Sequence, residues 1–249
     1  MSAAADSIER GKNFAPAALG AIRAVSAVLV FLPLCCAAET LAPVPSPDGE
    51  FVFESSDPEP EAGFTEVRVR STKTGAVVWK SAEQAIASHW LGTVRCLWSP
   101  DSRRFALNYQ AGGRYELSEV YRWNGRNFAE APDLSGLVNE RLEAAKNKDL
   151  RGLVARLPGT VTEEAKSAIR EGSYQQRVWD NCSARRWLDG NTLEVTGYST
   201  RIVLAPGMDA EGEYLGAAKR FVVQVNSQGR LKLAEERDIE MDEAERPIP

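Results

Sequence analysis

The chain has 249 residues, a formal net charge of −5 and 43% hydrophobic residues. This length suffices for one sizeable core, or for one domain with an inserted piece. The acidic balance argues against a nucleic-acid partner, because phosphate contacts require clustered Lys and Arg. The basic pairs at 103–104 and 185–186 are isolated from one another.

The N-terminal segment has the pattern of a secretory signal peptide. Arg10, Lys12 and Arg23 carry positive charge, residues 24–34 are apolar, and Cys-Ala-Ala at 36–38 offers small residues to a signal peptidase. The apolar run is too short to span about 30 Å of hydrocarbon comfortably. We therefore predict that residues 1–38 are a signal peptide and that the protein is exported, as a periplasmic or secreted protein.

Two membrane-attached alternatives stay open. One is an uncleaved N-terminal anchor, and the other is a lipid anchor on Cys35 or Cys36. Leu34 disfavours the lipid anchor on Cys35, because the residue directly before such a cysteine should be small. No second apolar stretch is long enough to cross a membrane, so we expect no stable membrane span after signal cleavage.

A short module recurs three times after this segment. Each copy opens with a tight turn followed by alternating apolar residues, and each ends with a glycine-centred turn before another short strand. The opening turns lie at 46–49 (Ser-Pro-Asp-Gly), 98–102 (Trp-Ser-Pro-Asp-Ser) and 187–190 (Trp-Leu-Asp-Gly), and the closing turns centre on Gly75, Gly125 and Gly229. Strands at this density predict antiparallel, meander-like sheet units.

Residues 132–173 break this pattern. Apolar residues recur there at helical spacings with charged residues between them: Leu134, Leu137, Val138, Leu150, Leu153 and Val154. Asp133 is suited to cap the first helix, and Pro-Gly at 158–159 ends it. Thr160 and Glu163 form the pattern of a capping box, which predicts a second, short helix.

These patterns predict a mainly β protein with antiparallel, blade-like sheet modules, propeller-like or sandwich-like, and an inserted α-helical segment. Two modules occupy residues 39–131, the helical insertion occupies 132–173, and the third module with an acidic tail occupies 174–249. We expect the helices to pack against the β core and to cover one open side, which leaves a monomer. Closure by a second copy of the chain is the alternative.

The turn Ser-Pro-Asp-Gly followed by alternating apolar residues resembles the WD-like repeats of TolB-like propellers, which also occur in the propeller domains of some prolyl peptidases. The resemblance covers residues 46–131 and is thinner over 185–238, where the proline and serine are missing. In that family the Asp and Gly residues of the turn are structural, so the resemblance implies no site residue. A closed propeller needs about four or more blades, whereas three modules leave an open stack, a sandwich-like pair, or blades completed by a second chain.

The chain offers little for nucleophilic catalysis. His89 is its single histidine, no Gly-x-Ser-x-Gly elbow is present, and a nucleophile requires a base. Paired carboxylates remain an alternative, since glycosidases need only two well-placed acids. Phosphate-binding, dinucleotide-binding and haem motifs are lacking, so we expect no cofactor.

Aromatic residues provide the first candidate binding site. Tyr121 and Trp123 lie beside Arg122 and Arg126, a combination suited to stacking on a sugar or a peptide. The alternative is that the tryptophans near the strand ends pack one sheet on the next.

Two further candidates concern metals and disulfides. Asp209, Glu211 and Glu213 alternate and offer oxygen ligands for calcium, although a solvated hairpin tip is the favoured interpretation and we predict no metal. Outside the cytoplasm Cys96 and Cys182 are able to form a disulfide. The alternative is that each is a small buried hydrophobic residue.

The sequence does not identify a specific function. It favours a non-catalytic binding or assembly module of the cell envelope, with a protein or glycan partner. The alternative is a carbohydrate-active hydrolase that uses paired carboxylates.

Overall fold

The computed structural model describes residues 41–55, 66–81, 93–113 and 115–245. Its first eight strands form two antiparallel meanders. They are β1 (Val44–Pro45), β2 (Phe51–Ser55), β3 (Val67–Ser71), β4 (Val77–Lys80), β5 (Arg95–Trp98), β6 (Arg104–Gly112), β7 (Tyr115–Trp123) and β8 (Phe128–Glu130). The first four strands make one sheet in chain order, and β5 to β8 pair successively in the same manner.

A helical segment follows, and then a third meander with longer strands. The elements are α1 (Leu134–Arg156), α2 (Glu163–Arg170), β9 (Gln175–Trp187), β10 (Thr192–Val203), β11 (Glu213–Val225), β12 (Leu231–Asp238) and α3 (Met241–Glu245). The described chain is therefore mainly β with an inserted helical segment, which confirms the predicted fold class. None of the described helices is long and apolar enough to cross a membrane.

The second and third meanders join into one sheet through a short parallel pairing. Tyr115 and Glu116 at the start of β7 face Asp180 and Asn181 of β9, while the far end of the same β7 edge pairs with β8. The resulting strand order is β12-β11-β10-β9-β7-β6-β5, with β8 beside β7.

The three meanders also share a repeated tryptophan contact. The indole nitrogen of Trp98, at the end of β5, donates to the carbonyl of Val44 in β1 at 3.1 Å. The indole nitrogen of Trp187, at the end of β9, donates to the carbonyl of Leu97 in β5 at 2.9 Å. Each tryptophan is the first residue of the opening turn of its module, so the second and third modules are each tied to the first strand of the module before.

An aromatic core fills the space between the first sheet and the β5–β8 meander. Phe51 packs edge-on against Phe128 with ring centroids 5.1 Å apart, and Phe105 stacks on Tyr121 at 4.9 Å. Val67 and Val69 alternate with exposed or half-buried arginines and close this core from β3. Sheet-on-sheet packing of this kind is what the alternating strands predict.

The helices cover one face of the third meander. Leu134, Val138 and Leu142 of α1 pack on β9, β10 and β11 in one core cluster. Farther along α1, Leu150 and Leu153 pack with Val203 and neighbouring residues in a second cluster. Burial of the apolar stripe therefore fixes the position of the helix on the sheet.

One of the two helix caps predicted from the sequence is confirmed, and the other is wrong. Asp133 caps α1, as predicted, and its side chain accepts from the backbone of Gly136 at 2.7 Å. The cap of α2 is Thr162, not the predicted Thr160, and it accepts from the backbone of Ala165. Thr160 instead donates to the carbonyl of Gly207 at 2.7 Å, so its hydroxyl fastens a loop and is not available as a cap.

We predict that α1 packs closely on β10 only because Gly197 has no side chain. A Cβ atom there would lie 2.5 Å from Cγ1 of Val138, well inside van der Waals contact. Gly197→Ala should lower the free energy of unfolding by about 1–3 kcal/mol through overpacking, as measured by urea denaturation. Gly113→Ala is the matched control, because a Cβ at Gly113 meets nothing within 4 Å.

A rescue variant separates overpacking from a general intolerance of side chains at this position. Val138→Ala removes the clashing methyl group, so the double variant Gly197→Ala with Val138→Ala should cost less than the sum of the two single changes. Strict additivity would contradict this account of the contact.

Candidate binding cleft

A cleft of about 680 Å³ opens on the face of the large sheet that α1 does not cover. Strands β5, β6, β7, β9 and β10 contribute to its walls, and α3 contributes one rim. The volume lies within the usual range for small-molecule sites. The cleft lies where the second and third meanders join, so its residues come from distant parts of the chain.

Two β-bulges in β9 shape the cleft. In the pairing with β10, Thr200 faces Trp179 and Arg201 faces Arg177, which leaves Val178 as an extra residue. In the same way Arg185 is extra between Ala184 and Arg186. Both extra residues line the cleft. The second bulge also returns Trp187 to the covered side of the sheet, where it packs in the core with Ala184.

Glu116 forms the polar centre of the cleft. The parallel pairing sets it beside Asn181, and its carboxylate accepts hydrogen bonds from the Asn181 amide and the Ser183 hydroxyl. All three side chains line the cleft.

Two polar atoms of cleft residues have no hydrogen-bond partner among the described residues. They are the amide oxygen of Asn181 and the indole nitrogen of Trp179. Asn181 is only 5% exposed, so this oxygen is shielded from water. A buried polar atom without a partner costs about 1–3 kcal/mol. Both atoms are enclosed by protein and are not exposed to the cavity.

One side of the cleft is formed by Tyr198 of β10 and Glu245 of α3. Tyr198 packs with Ala218 and Ala244 in a small cluster. Burial, with Glu245 and Glu116 as further causes, raises the pKa of the Tyr198 hydroxyl to about 12.

The other side of the cleft carries positive charge. Arg95 lies on β5 and Arg185 on the second bulge of β9. Burial lowers the pKa of Arg185, and the neighbouring Arg220 acts in the same direction while Glu116 opposes it. The lining of the cleft therefore includes arginines on β5 and β9 and carboxylates on β7 and α3.

A buried charged network lies under the cleft, on the face of the sheet that α1 covers. Lys146 of α1 donates to the Ser199 hydroxyl at 2.5 Å and to Glu143 at 2.9 Å, and the Ser199 hydroxyl in turn donates to Asp180. Burial lowers the pKa of Lys146, and Arg201 adds to this effect. Ser199 lies between Tyr198 and Thr200, so strand alternation turns it away from the cleft.

Lys146 and Ser199 are residue types that serve as base and nucleophile in some enzymes, but here both are buried. Ser199 is 1% exposed and Lys146 is 2% exposed, so a substrate has no route to the hydroxyl. This pair was not found from the sequence, since the two residues are 53 positions apart. Its physical role is to anchor α1 on the sheet.

The aromatic candidate site is not assembled as a stacking surface. The Tyr121 ring is 8% exposed and its hydroxyl donates to Glu119 at 2.6 Å, while Trp123 packs against Phe128 in the core. Alternation along β7 places Arg122 on the opposite face from both rings. Arg126 lies in the exposed turn before β8. The two rings therefore pack between the sheets, which is the alternative considered from the sequence.

The three candidate calcium ligands do not line the cleft. Asp209 and Glu211 are exposed in the β10–β11 connection and Glu213 begins β11. Within the described residues, no group of three or more His, Cys, Asp or Glu side chains is arranged to hold a metal ion.

The structure holds Cys96 and Cys182 as free thiols, not as a disulfide. They belong to different core clusters, Cys96 beside the aromatic core and Cys182 under α1. Burial raises the pKa of both thiols, that of Cys182 to about 12. Residues 1–38 and His89 lie outside the described residues.

Comparisons with known proteins give weak likenesses of fold. No family model and no curated protein matches the chain. A solved structure of TolB from Acinetobacter baumannii matches with 12% identity and a TM-score of 0.29, over 82% of this chain and 42% of the other. A structure from a study of two prolyl endopeptidases matches with 11% identity and a TM-score of 0.29, over 81% of this chain and 28% of the other. The chain thus spans less than half the length of either protein.

We predict that Ser199 does not react as a nucleophile in the folded protein. A fluorophosphonate probe should leave the native chain unlabelled, because the hydroxyl is enclosed between α1 and the sheet. Mass spectrometry of the intact protein measures the outcome, with a reactive serine hydrolase as the positive control. Labelling that Ser199→Ala abolishes would contradict a purely structural role.

Proposed function

We propose that the protein is exported and acts as a non-catalytic binding module of the cell envelope, with the cleft as its ligand site. The observation that carries the proposal is a cleft of about 680 Å³ lined by polar and charged side chains, among them Glu116, Asn181 and Ser183. A cavity of this size with several convergent polar groups is the usual form of a ligand site. The N-terminal pattern of residues 1–38 supports export.

The arrangement of the helices supports a monomer. One face of the third meander is covered by α1 and α2, and the cleft occupies the opposite face. The edge strand β12 is rich in charged residues, among them Glu235, Glu236 and Arg237. Charges on an edge strand oppose pairing with another chain.

A hydrolase is the second candidate, and one observation favours it. Glu116 and Glu245 line the same cleft as Trp179. Two acids in a cleft with an aromatic wall are the minimum for glycoside hydrolysis. Release of reducing ends from an oligosaccharide by the wild-type protein, abolished by Glu116→Gln, would establish this function in place of binding alone.

We predict that filling the cleft removes ligand binding and leaves the fold intact. Thr200 lines the cleft and is half-buried, so Thr200→Trp projects a large ring into the cavity from a strand position that tolerates aromatics. An envelope extract should raise the melting temperature of the wild-type protein and should not raise that of the variant. Ala129→Trp adds the same ring at an exposed strand position outside the cleft and should behave as the wild type.

Location is tested separately from binding. N-terminal sequencing of protein recovered from the envelope or the medium should begin near Glu39. An intact Met1 on protein recovered from the cytoplasm would contradict export.

An equal thermal response of the wild-type protein and Thr200→Trp would contradict the assignment of the cleft as the site.

A further inference from the structure

The edge of the large sheet is open where β12 ends before β11 does. The pairing of β11 with β12 covers Lys219 to Val225, whereas β11 itself begins at Glu213. After β12 the chain leaves the edge, and α3 packs on the face of the sheet. Among the described residues, no strand pairs with the outer side of residues 213–217.

Strand alternation shows which backbone groups point off this open edge. The carbonyl of Ala218 accepts from the backbone N–H of Ile239, the residue directly after β12, at 3.1 Å. The backbone groups of Ala218 therefore point away from β10, and in an antiparallel strand every second residue points its backbone groups to the same side. Gly216 and Tyr214 thus direct their N–H and C=O groups off the edge. In the described part of the chain, no strand receives them.

A groove of about 360 Å³ lies beside this open edge. Gly216, Ala217 and Ala218 form its strand side, and α1 provides the opposite wall with Ala144 and Ala145. All five residues are small, so the groove is uncharged along its middle. The charged side chains of the lining are Arg141, Lys148, Asp149, Lys219, Glu236 and Asp238.

This part of the edge lacks the usual protection against pairing. Proteins protect their sheet edges with charged residues, prolines or a covering element. The edge strand β12 is charged along residues 235–238, whereas residues 214–218 of β11 read Tyr-Leu-Gly-Ala-Ala. The Tyr214 side chain is 68% exposed. The open stretch therefore has the features of a pairing surface.

We propose that an extended segment of another protein binds in this groove and adds to the sheet as a strand beside β11. Backbone donors and acceptors that repeat along a strand are matched by a second extended backbone, which carries the same groups at the same spacing. The site goes beyond the proposed cleft function, because no residue lines both cavities.

The length of the open edge favours a single added segment over a second copy of the chain. A stable interface between folded proteins takes about 20–30 residues from each partner. The open edge offers only residues 213–217, which suits a short linear segment.

A capped pentapeptide, acetyl-Val-Thr-Val-Thr-Val-amide, is the probe for this site. Its alternating side chains allow the valines to face Ala144 and Ala145. In nuclear magnetic resonance spectra of the full chain, the amide signals of Tyr214 and Gly216 should shift, and their hydrogen exchange should slow about tenfold. The fully N-methylated peptide lacks every backbone donor and should bind about tenfold or more weakly.

Variants at Gly216 separate strand addition from other contacts. Gly216→Pro removes an N–H that points off the edge and leaves the pairing with β10 intact, so it should weaken peptide binding about tenfold or more. Gly216→Ala is the matched control, because it keeps the N–H and its Cβ would lie 3.7 Å from Thr200 and 3.8 Å from Met241, in ordinary contact. Its affinity should stay within about twofold of the wild type.

A helix variant tests the groove without changing the strand. Ala144 is exposed on α1 and lines the groove, so Ala144→Trp should fill it and weaken peptide binding even if Gly216→Pro fails to fold. Ala129→Trp adds the same ring at an exposed position outside the groove and should bind as the wild type does. Circular dichroism of each variant verifies that the sheet is formed.

Several outcomes would overturn the inference. Equal affinity for the two peptides, equal binding by folded Gly216→Pro and Gly216→Ala, or no peptide binding by the wild type would show that the edge does not accept a strand. Light scattering that finds a dimer of the wild type and a monomer of Gly216→Pro would identify a second copy as the occupant instead. Each of these results leaves the cleft to be decided by Thr200→Trp.

Discussion

The parallel contact between β7 and β9 is the constraint on which the site depends. Only Tyr115 and Glu116 take part from β7, yet this contact converts two meanders into one sheet. Glu116 reinforces it by accepting from Asn181 and Ser183 of the partner strand. The same three side chains are the floor of the cleft, so the interaction that joins the modules also builds the candidate site.

The rest of the structure leaves one face of this joined sheet open. The repeated contacts of Trp98 and Trp187 tie each module to the one before it, and α1 covers the opposite face. Lys146 holds α1 against the sheet through Ser199, directly behind the cleft wall formed by Tyr198 and Thr200. Covering one face with a helix therefore positions the cleft residues of the other.

The fold was largely predictable from the sequence, and the cleft was not. Local signals sufficed for the turns and for the helix that begins after Asp133, because both depend on neighbouring residues. The cleft depends on pairing between residues about 65 positions apart, such as Glu116 and Asn181, and on bulges that no local pattern marks. The aromatic candidate failed to form a surface because alternation turned Tyr121 and Trp123 into the core. A carboxylate near the start of a strand, as Glu116 is, was the one available signal, and it is too common to be specific.

Amide hydrogen exchange of Glu116→Ala tests the central claim, that Glu116 holds the joint and the cleft together. The account predicts exchange about tenfold or more faster at residues 115–117 and 180–183, while the pairing of β10 with β11 keeps its protection. Glu213→Ala, at the exposed start of β11, is the control. Unchanged protection at the joint in Glu116→Ala would contradict the account, because the two meanders would then be joined without the residue that centres the site.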